Sequence, residues 1–138
     1  ADALTIHLNP LQELLQPEGS PRFRGVLAGI EEISTTIGVP IIAKEVGAGL
    51  DADVMQRLFN AGVHILDVAG AGGTSWAGVE ILRSTGNAPE DPYKEAFWDW
   101  GLTTVECLQA ASALRSTDES FRQRAFIIAS GGITSGLD

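Results

Sequence analysis

Thiols are nearly missing from this chain: Cys107 is the single cysteine in 138 residues. No intrachain disulfide and no thiolate zinc cluster can form, so a reducing compartment, the cytoplasm, is the expected setting. Its apolar neighbours on a helical stretch make Cys107 a buried, inert thiol. Basic residues are scarce too, nine Lys and Arg against eighteen Asp and Glu, for a net charge of -9. That balance excludes nucleic-acid wrapping, which needs a cationic surface. An anionic ligand would require a locally positive site or a metal ion. No apolar run approaches the roughly 18 residues of a membrane span, so no membrane partner is expected. The opening residues ADALTIHL lack an initiator Met and a basic leader, which implies a chain that begins in mid-protein or has been processed.

What is present is the composition of a globular protein, 44% hydrophobic, enough for one core. Leu4 to Leu8 reads as a short strand, and Asn9-Pro10 with Gln12 resembles a capping box that opens a helix to about Leu15. Residues 16 to 21 are a loop. Phe23, Leu27, Ile30, Ser34 and Ile37 mark one face of a second helix, ended by Gly38 and Pro40. Val39 to Ala43 has the character of a strand buried on both sides, with Lys44-Glu45 at its end. Asp51 or Asp53 caps a helix carrying Val54, Met55, Leu58 and Phe59. Strand Val63 to Val68 runs into a glycine-rich turn, and a helix follows from Trp76 to about Arg83. Residues 85 to 100 read as a surface excursion anchored by Trp98 and Trp100. Thr103 and Glu106 form a capping box for a helix to about Arg115. A last strand, Ala125 to Ala129, ends in Ser130-Gly131-Gly132.

The order β, α, β, α, β, α, β predicts parallel strands with ligands at their carboxyl ends. It fits part of a (β/α)8 TIM barrel, about four strand-helix units of a single domain over residues 1-138. A complete barrel needs roughly 250 residues, so four strands would not close one alone.

Polar residues gather at these strand ends. His7, Asn9, Gln12 and Glu13 straddle the first strand end and the following helical turn. A neutral His7 there can exchange a proton near pH 7, and Glu13 is a hard oxygen ligand suited to Mg2+ shared with waters and phosphate. Asn9 as a simple cap and Glu13 as a first-turn acid are the plainer readings. Lys44 needs an anion, supplied by Glu45, by Asp67 or by a cofactor. The run Gly70 to Ser75, with Gly72–Thr74 at its centre, and the turn Ser130-Gly131-Gly132 can each present backbone N–H groups to a phosphate. Neither is a Walker or dinucleotide signature.

The segments His7-Leu-Asn-Pro-Leu-Gln12-Glu13, Gln16-Pro-Glu-Gly19, Lys44-Glu-Val-Gly47, Asp67-Val-Ala-Gly-Ala-Gly-Gly-Thr-Ser-Trp76 and Ala129-Ser-Gly-Gly132 together resemble the type 2, FMN-dependent isopentenyl-diphosphate isomerases. The likeness spans nearly the whole chain and corresponds to the middle and later strands of that family's barrel. It implies reversible isomerisation of isopentenyl diphosphate to dimethylallyl diphosphate with reduced FMN, Mg2+ and NAD(P)H as the flavin reductant, in a homo-oligomer. On that resemblance His7 and Asn9 line the substrate pocket, Gln12 lies beside the isoprenyl group, and Glu13 binds Mg2+. Lys44 and Thr74 contact the flavin, and Gly131 and Gly132 lie near its phosphate. Ser20, Ala69 and Thr134 depart from the family pattern, where aspartate, serine and arginine are common.

Two other readings compete. A 2-hydroxy-acid oxidase-like flavoprotein would expect a histidine and an arginine late in the chain, whereas the only histidines are His7 and His64. An inactive or purely interacting piece would expose strand edges that favour association.

Overall fold

The computed structural model describes residues 1–85 and 96–135. Its elements are β1 (Leu4–Leu8), α1 (Pro10–Leu15), α2 (Val26–Thr36), β2 (Ile41–Glu45), α3 (Ala52–Asn60), β3 (Ile65–Asp67), α4 (Trp76–Thr85), α5 (Thr104–Thr117), α6 (Glu119–Arg124) and β4 (Phe126–Ile128). The four strands are parallel and ordered β1-β2-β3-β4 in one sheet.

This corrects the expected partial TIM barrel. The chain is a small α/β domain whose single sheet is open, with β1 and β4 as its edges. Closure requires tilted, staggered strands in a ring, and four strands ending on two unpaired edges do not make one.

Register divides the sheet cleanly in two. Ile6, Ala43, Leu66 and Ile127 align across the strands and belong to one core with Ile30, Met55, Leu58, Phe59, Cys107 and Phe121 from the helices. Their neighbours point the other way: the row Thr5, Ile42, Ile65, Phe126 and the row His7, Lys44, Asp67, Ile128. Period 2 along each strand makes this inevitable once one face is packed. The second face is largely bare, with Phe126 66% and Ile128 39% exposed. The expectation that Val39 to Ala43 is buried on both sides is therefore corrected to an alternating pattern in β2. The strand also runs two residues further, because Lys44 and Glu45 pair with His7 and Leu8.

Caps follow local chemistry where the side chain is free to turn back. Asp51 accepts from Val54 N at 2.7 Å, and Thr103 and Glu106 form the expected capping box. Asn9 stands at the N-cap of α1 but makes no side-chain cap bond. Its amide instead donates to Glu13 at 3.3 Å, and Gln12 reaches Glu80 rather than the Asn9 backbone. One acceptor a helical turn away, Glu13, and one long-range acceptor, Glu80, thus take the place of the box. Only part of the 85–100 excursion is visible: residues 86–95 lie outside the described residues, and the segment that follows forms a turn.

The glycine runs after β3 and β4 pack backbone to backbone. Gly70 N donates to Ser130 O at 3.0 Å, and a Cβ on Gly131, whose φ is +99°, would stand 2.1 Å from Gly70 O. Thr104 Oγ1 locks the turn with its one hydrogen shared between the Gly131 and Ser130 carbonyls, at 2.6 and 2.9 Å. Gly131→Ala should destabilise the fold by more than about 1 kcal/mol, since it meets both a left-handed φ and a backbone clash. Urea unfolding measures the loss. Thr103→Ala, which removes a cap only, should cost about 1 kcal/mol.

Candidate functional site

Two polar clusters form at the carboxyl ends of the strands. The first surrounds Glu80, an acid on the face of α4 that also carries the buried Ala77 and Ile81. α1 packs there through Leu15 and Leu11, which carries Gln12 and Gln16 to the carboxylate. Gln12 Nε2 and Gln16 Nε2 donate to Glu80 Oε1 at 3.0 and 2.9 Å. Arg83 Nη1 bonds Oε2 at 2.8 Å. Glu80 is 2% exposed, yet the two glutamine hydrogen bonds, and after them the Arg83 charge, hold its pKa below the usual carboxylate value. A carboxylate only accepts, so the Gln12 amide must present its nitrogen to Glu80 and its oxygen elsewhere. Gln12 and Asn9 line a small cavity with Val46, Gly47, Trp76 and Trp100.

An open groove adjoins this cavity and is lined by His7, Asn9, Glu13 and Arg22 at its polar end, with Leu27 and Val54 among its apolar residues. Glu13 is held by Ser20 N at 2.9 Å and by Asn9 Nδ2. Glu45 borders both spaces. It points to the helix side of β2, where burial raises its pKa while amide bonds from Ala48 and Val46 oppose the shift. Its Oε2 accepts from Val46 N and Ala48 N, both at 2.5 Å, which ties the β2–α3 loop in place.

The second cluster lies on the bare face. Lys44 Nζ pairs with Asp67 Oδ2 at 3.0 Å and approaches Ser130 Oγ at 3.4 Å, while Ser130 Oγ donates to Asp67 Oδ1 at 2.5 Å. Of the partners considered for Lys44, Asp67 is the one the register supplies, because Lys44 and Asp67 are Cα partners whereas Glu45 faces the core. Thr74 and Gly132 are exposed beside this cluster's strand ends, and Gly131 is half-buried.

The fold thus splits the expected wall. His7, Asn9 and Glu13 share the groove, Gln12 and Asn9 share the cavity, and Lys44, Thr74, Gly131 and Gly132 border neither space. His7 links the halves, standing opposite Lys44 in the register. Among the described residues no group of three His, Cys, Asp or Glu side chains is arranged to hold a metal ion. His64 lies at the opposite end of the sheet, where Nε2 meets Arg124 at 2.8 Å and the ring stacks edge-on to Phe59. Burial and then the Arg124 charge lower its pKa.

Glu80 escaped the reading of motifs. The available signal was an acid on the apolar side of a helix, in register with Ala77 and Ile81, since a carboxylate on such a face needs dedicated donors.

No family model matches the chain. Proteins named "Isopentenyl-diphosphate delta-isomerase" are similar to it: that of Chlorobaculum parvum is 48% identical over 145 residues, covering 100% of this chain and 40% of the relative. That of Cronobacter sakazakii is 50% identical over 138 residues, covering 100% and 38%, and that of Rickettsia prowazekii 44% identical, covering 100% and 38%. The chain spans about 40% of the length of the curated relatives it matches. The narrower likeness to type 2 enzymes is thereby corrected. The shared region is this fraction of each relative, and it carries the name of the isomerase with no type attached.

Because the folded-state pKa of Glu80 is lowered, its ionised form contributes stability above the unfolded carboxylate pKa, and that contribution is lost as pH falls through the folded value. The stability gap between the wild type and Glu80→Gln should be open at pH 7 and close on acidification, as read by denaturation at each pH. A gap of constant size would show that charge on Glu80 is irrelevant.

Proposed function

We propose that this chain forms part of an isomerase that interconverts isopentenyl and dimethylallyl diphosphate, and that the reaction uses reduced FMN and Mg2+. The observation that carries this reading is identity of 44–50% across the whole chain to proteins bearing that name. The geometry that supports it is an oriented Gln12 amide at a small cavity, next to a groove with polar groups.

Moving the double bond adds a proton at one carbon and removes one from another, passing through positive charge on the carbon between. Gln12 is neither acid nor base at neutral pH. Its nitrogen is engaged by Glu80, so its oxygen is the end left to face developing positive charge. Gln12 is thus a polarising and positioning group, with its amide pre-oriented at no cost during reaction. His7, Asn9 and Arg22 offer donors to the diphosphate in the groove.

The groove also holds Glu13, Glu45, Asp51 and Asp99, an acidic lining that would repel a bare diphosphate. A cation offsets this. Glu13 fits Mg2+ because each of its oxygens has a single donor and a carboxylate oxygen has a further lone pair, the rest of the shell coming from water and phosphate. FMN fits the other cluster. Lys44 retains a partly exposed ammonium, and the open strand ends at Thr74, Gly131 and Gly132 suit a ring and its phosphate. When bound, reduced flavin would supply the proton transfer chemistry that the protein side chains lack, and NAD(P)H would keep it reduced. The full-length protein is read as a cytoplasmic homo-oligomer. Among the described residues no helix is long and apolar enough to cross a membrane.

The test is an anaerobic assay of the full-length protein with isopentenyl diphosphate, FMN, dithionite and Mg2+, with and without each component. Conversion that requires both FMN and Mg2+ is expected, and absence of any conversion would sink the isomerase reading. Glu13→Gln should raise the Mg2+ concentration for half activity roughly tenfold, because one charged oxygen ligand is lost. FMN affinity, followed by flavin fluorescence, should barely move. Equal loss of both would reduce Glu13 to a tie between α1 and Ser20.

A further inference from the structure

Glu45 closes β2 on the helix side of the sheet and is 6% exposed. It is turned away from Lys44, whose ammonium pairs with Asp67 on the other face. Among the described residues no cation forms an ion pair with it. A buried carboxylate needs donors, and the chain immediately after it supplies them. Val46 N and Ala48 N both donate to Oε2 at 2.5 Å. Burial pushes the Glu45 pKa up, and loop amides, chiefly those of Ala48 and Val46, oppose the shift.

The loop that folds around this carboxylate owes its shape to glycine. Gly47 and Gly49 have φ of +111° and +78°, a backbone that other residues rarely adopt. Backbone N–H groups gathered by such a turn make a concavity that binds anions. Fastenings on its outer side hold the turn: Gly47 N donates to Ala69 O at 2.8 Å, and Leu102 N to Ala48 O at 2.9 Å. A Cβ on Gly49 would stand 2.6 Å from Cys107 Sγ, and one on Gly101 would stand 2.6 Å from Ala48 Cα. The concavity is thus shaped from outside and filled from inside.

We propose that Glu45 is a built-in anion, whose carboxylate fills a backbone cradle formed by residues 46–49 and so positions the wall shared by the cavity and the groove. Val46, Gly47 and Ala48 line the cavity with Gln12, and Ala48 and Gly49 line the groove with His7 and Glu13. Without the carboxylate, the amides of Val46 and Ala48 lose that acceptor and the wall loses its tie to β2. The outer fastenings remain, so a small free carboxylate can take the vacated place. The effect on turnover rests on the proposed isomerase reaction, whereas the cradle itself does not.

Formate is the probe, added to the full-length wild type, Glu45→Ala and Glu45→Gln, with chloride at equal ionic strength as the control. Trp76 and Trp100 border the cavity beside Val46 and Ala48, so indole fluorescence reports filling of the cradle independently of turnover. Glu45→Ala should lose about tenfold or more in kcat/KM, the scale of unmade bonds to a charged acceptor, and saturating formate should bring it back to within about threefold of the wild type. Fluorescence should follow with the same half-saturation, while chloride moves neither signal and formate leaves the wild type unchanged. Glu45→Gln, the safer variant for folding, keeps the volume and a neutral oxygen. It should lose about threefold, since a neutral acceptor holds the amides less strongly, and ignore formate because the cradle is already filled. A Glu45→Ala protein that circular dichroism shows to be folded, yet that formate moves in neither signal, overturns the cradle. So does wild-type kcat/KM in Glu45→Gln, which alone decides the matter if the alanine variant does not fold. A formate response in Glu45→Gln equal to that of Glu45→Ala overturns it as well. If the wild type converts no isopentenyl diphosphate, the proposed function fails, and the fluorescence response of Glu45→Ala to formate still decides whether the cradle exists.

Discussion

The arrangement at the carboxyl ends of the sheet depends on one register, in which His7, Lys44, Asp67 and Ile128 occupy a single row across four parallel strands. Side chains alternate along a strand, so packing the helices on Ala43 and Leu66 sends Lys44 and Asp67 to the other face together. A slip of one residue would bury the ammonium against Met55 and Leu58 and expose the core. The Lys44–Asp67 pair is therefore a consequence of hydrophobic packing. Lys44 keeps partial exposure while Asp67 is buried, so the carboxylate depends on Lys44 and Ser130 for its partners.

Glycine serves packing before it serves any ligand. A Cβ on Gly131 or Gly132 would meet the backbone of Gly70 or Gly72, and one on Gly70 would meet that of Thr103 and Thr104, so packing accounts for these three glycines. The same economy appears at Glu80. Its glutamine donors join α1 to α4, and in doing so they orient the amide of Gln12 toward the cavity. Structural and functional readings of these residues coincide, since a group can orient its neighbour only if it is itself held.

Several elements were legible without coordinates because their causes are local. The Thr103–Glu106 box, the Asp51 cap and the order of strands and helices follow from spacing and turn chemistry. The box at Asn9 was not, because its donors and acceptors found partners elsewhere: Glu13 for Asn9, and Glu80, sixty-eight positions along the chain, for Gln12. Nor was the bare second face of the sheet. An apolar β2 looks alike whether one or both faces are covered, and only the placement of the helices distinguishes the cases. The barrel expected from the β-α order was corrected for the same reason, since order along the chain specifies parallel pairing but not closure.

Taken by themselves, the residues determined that polar groups and glycine turns fall at strand ends: His7, Asn9, Gln12, Glu13, Lys44, and the turns through Thr74, Gly131 and Gly132. A single cysteine likewise excluded an intrachain disulfide. Tertiary structure decided which of those groups meet. It put Lys44 on Asp67 rather than Glu45, separated the Gln12 cavity from the Lys44 cluster, and recruited Glu80, which no motif marks. The difference is physical: composition and spacing act through neighbours a few residues apart, whereas ion pairs and cavities arise from packing that unites distant segments.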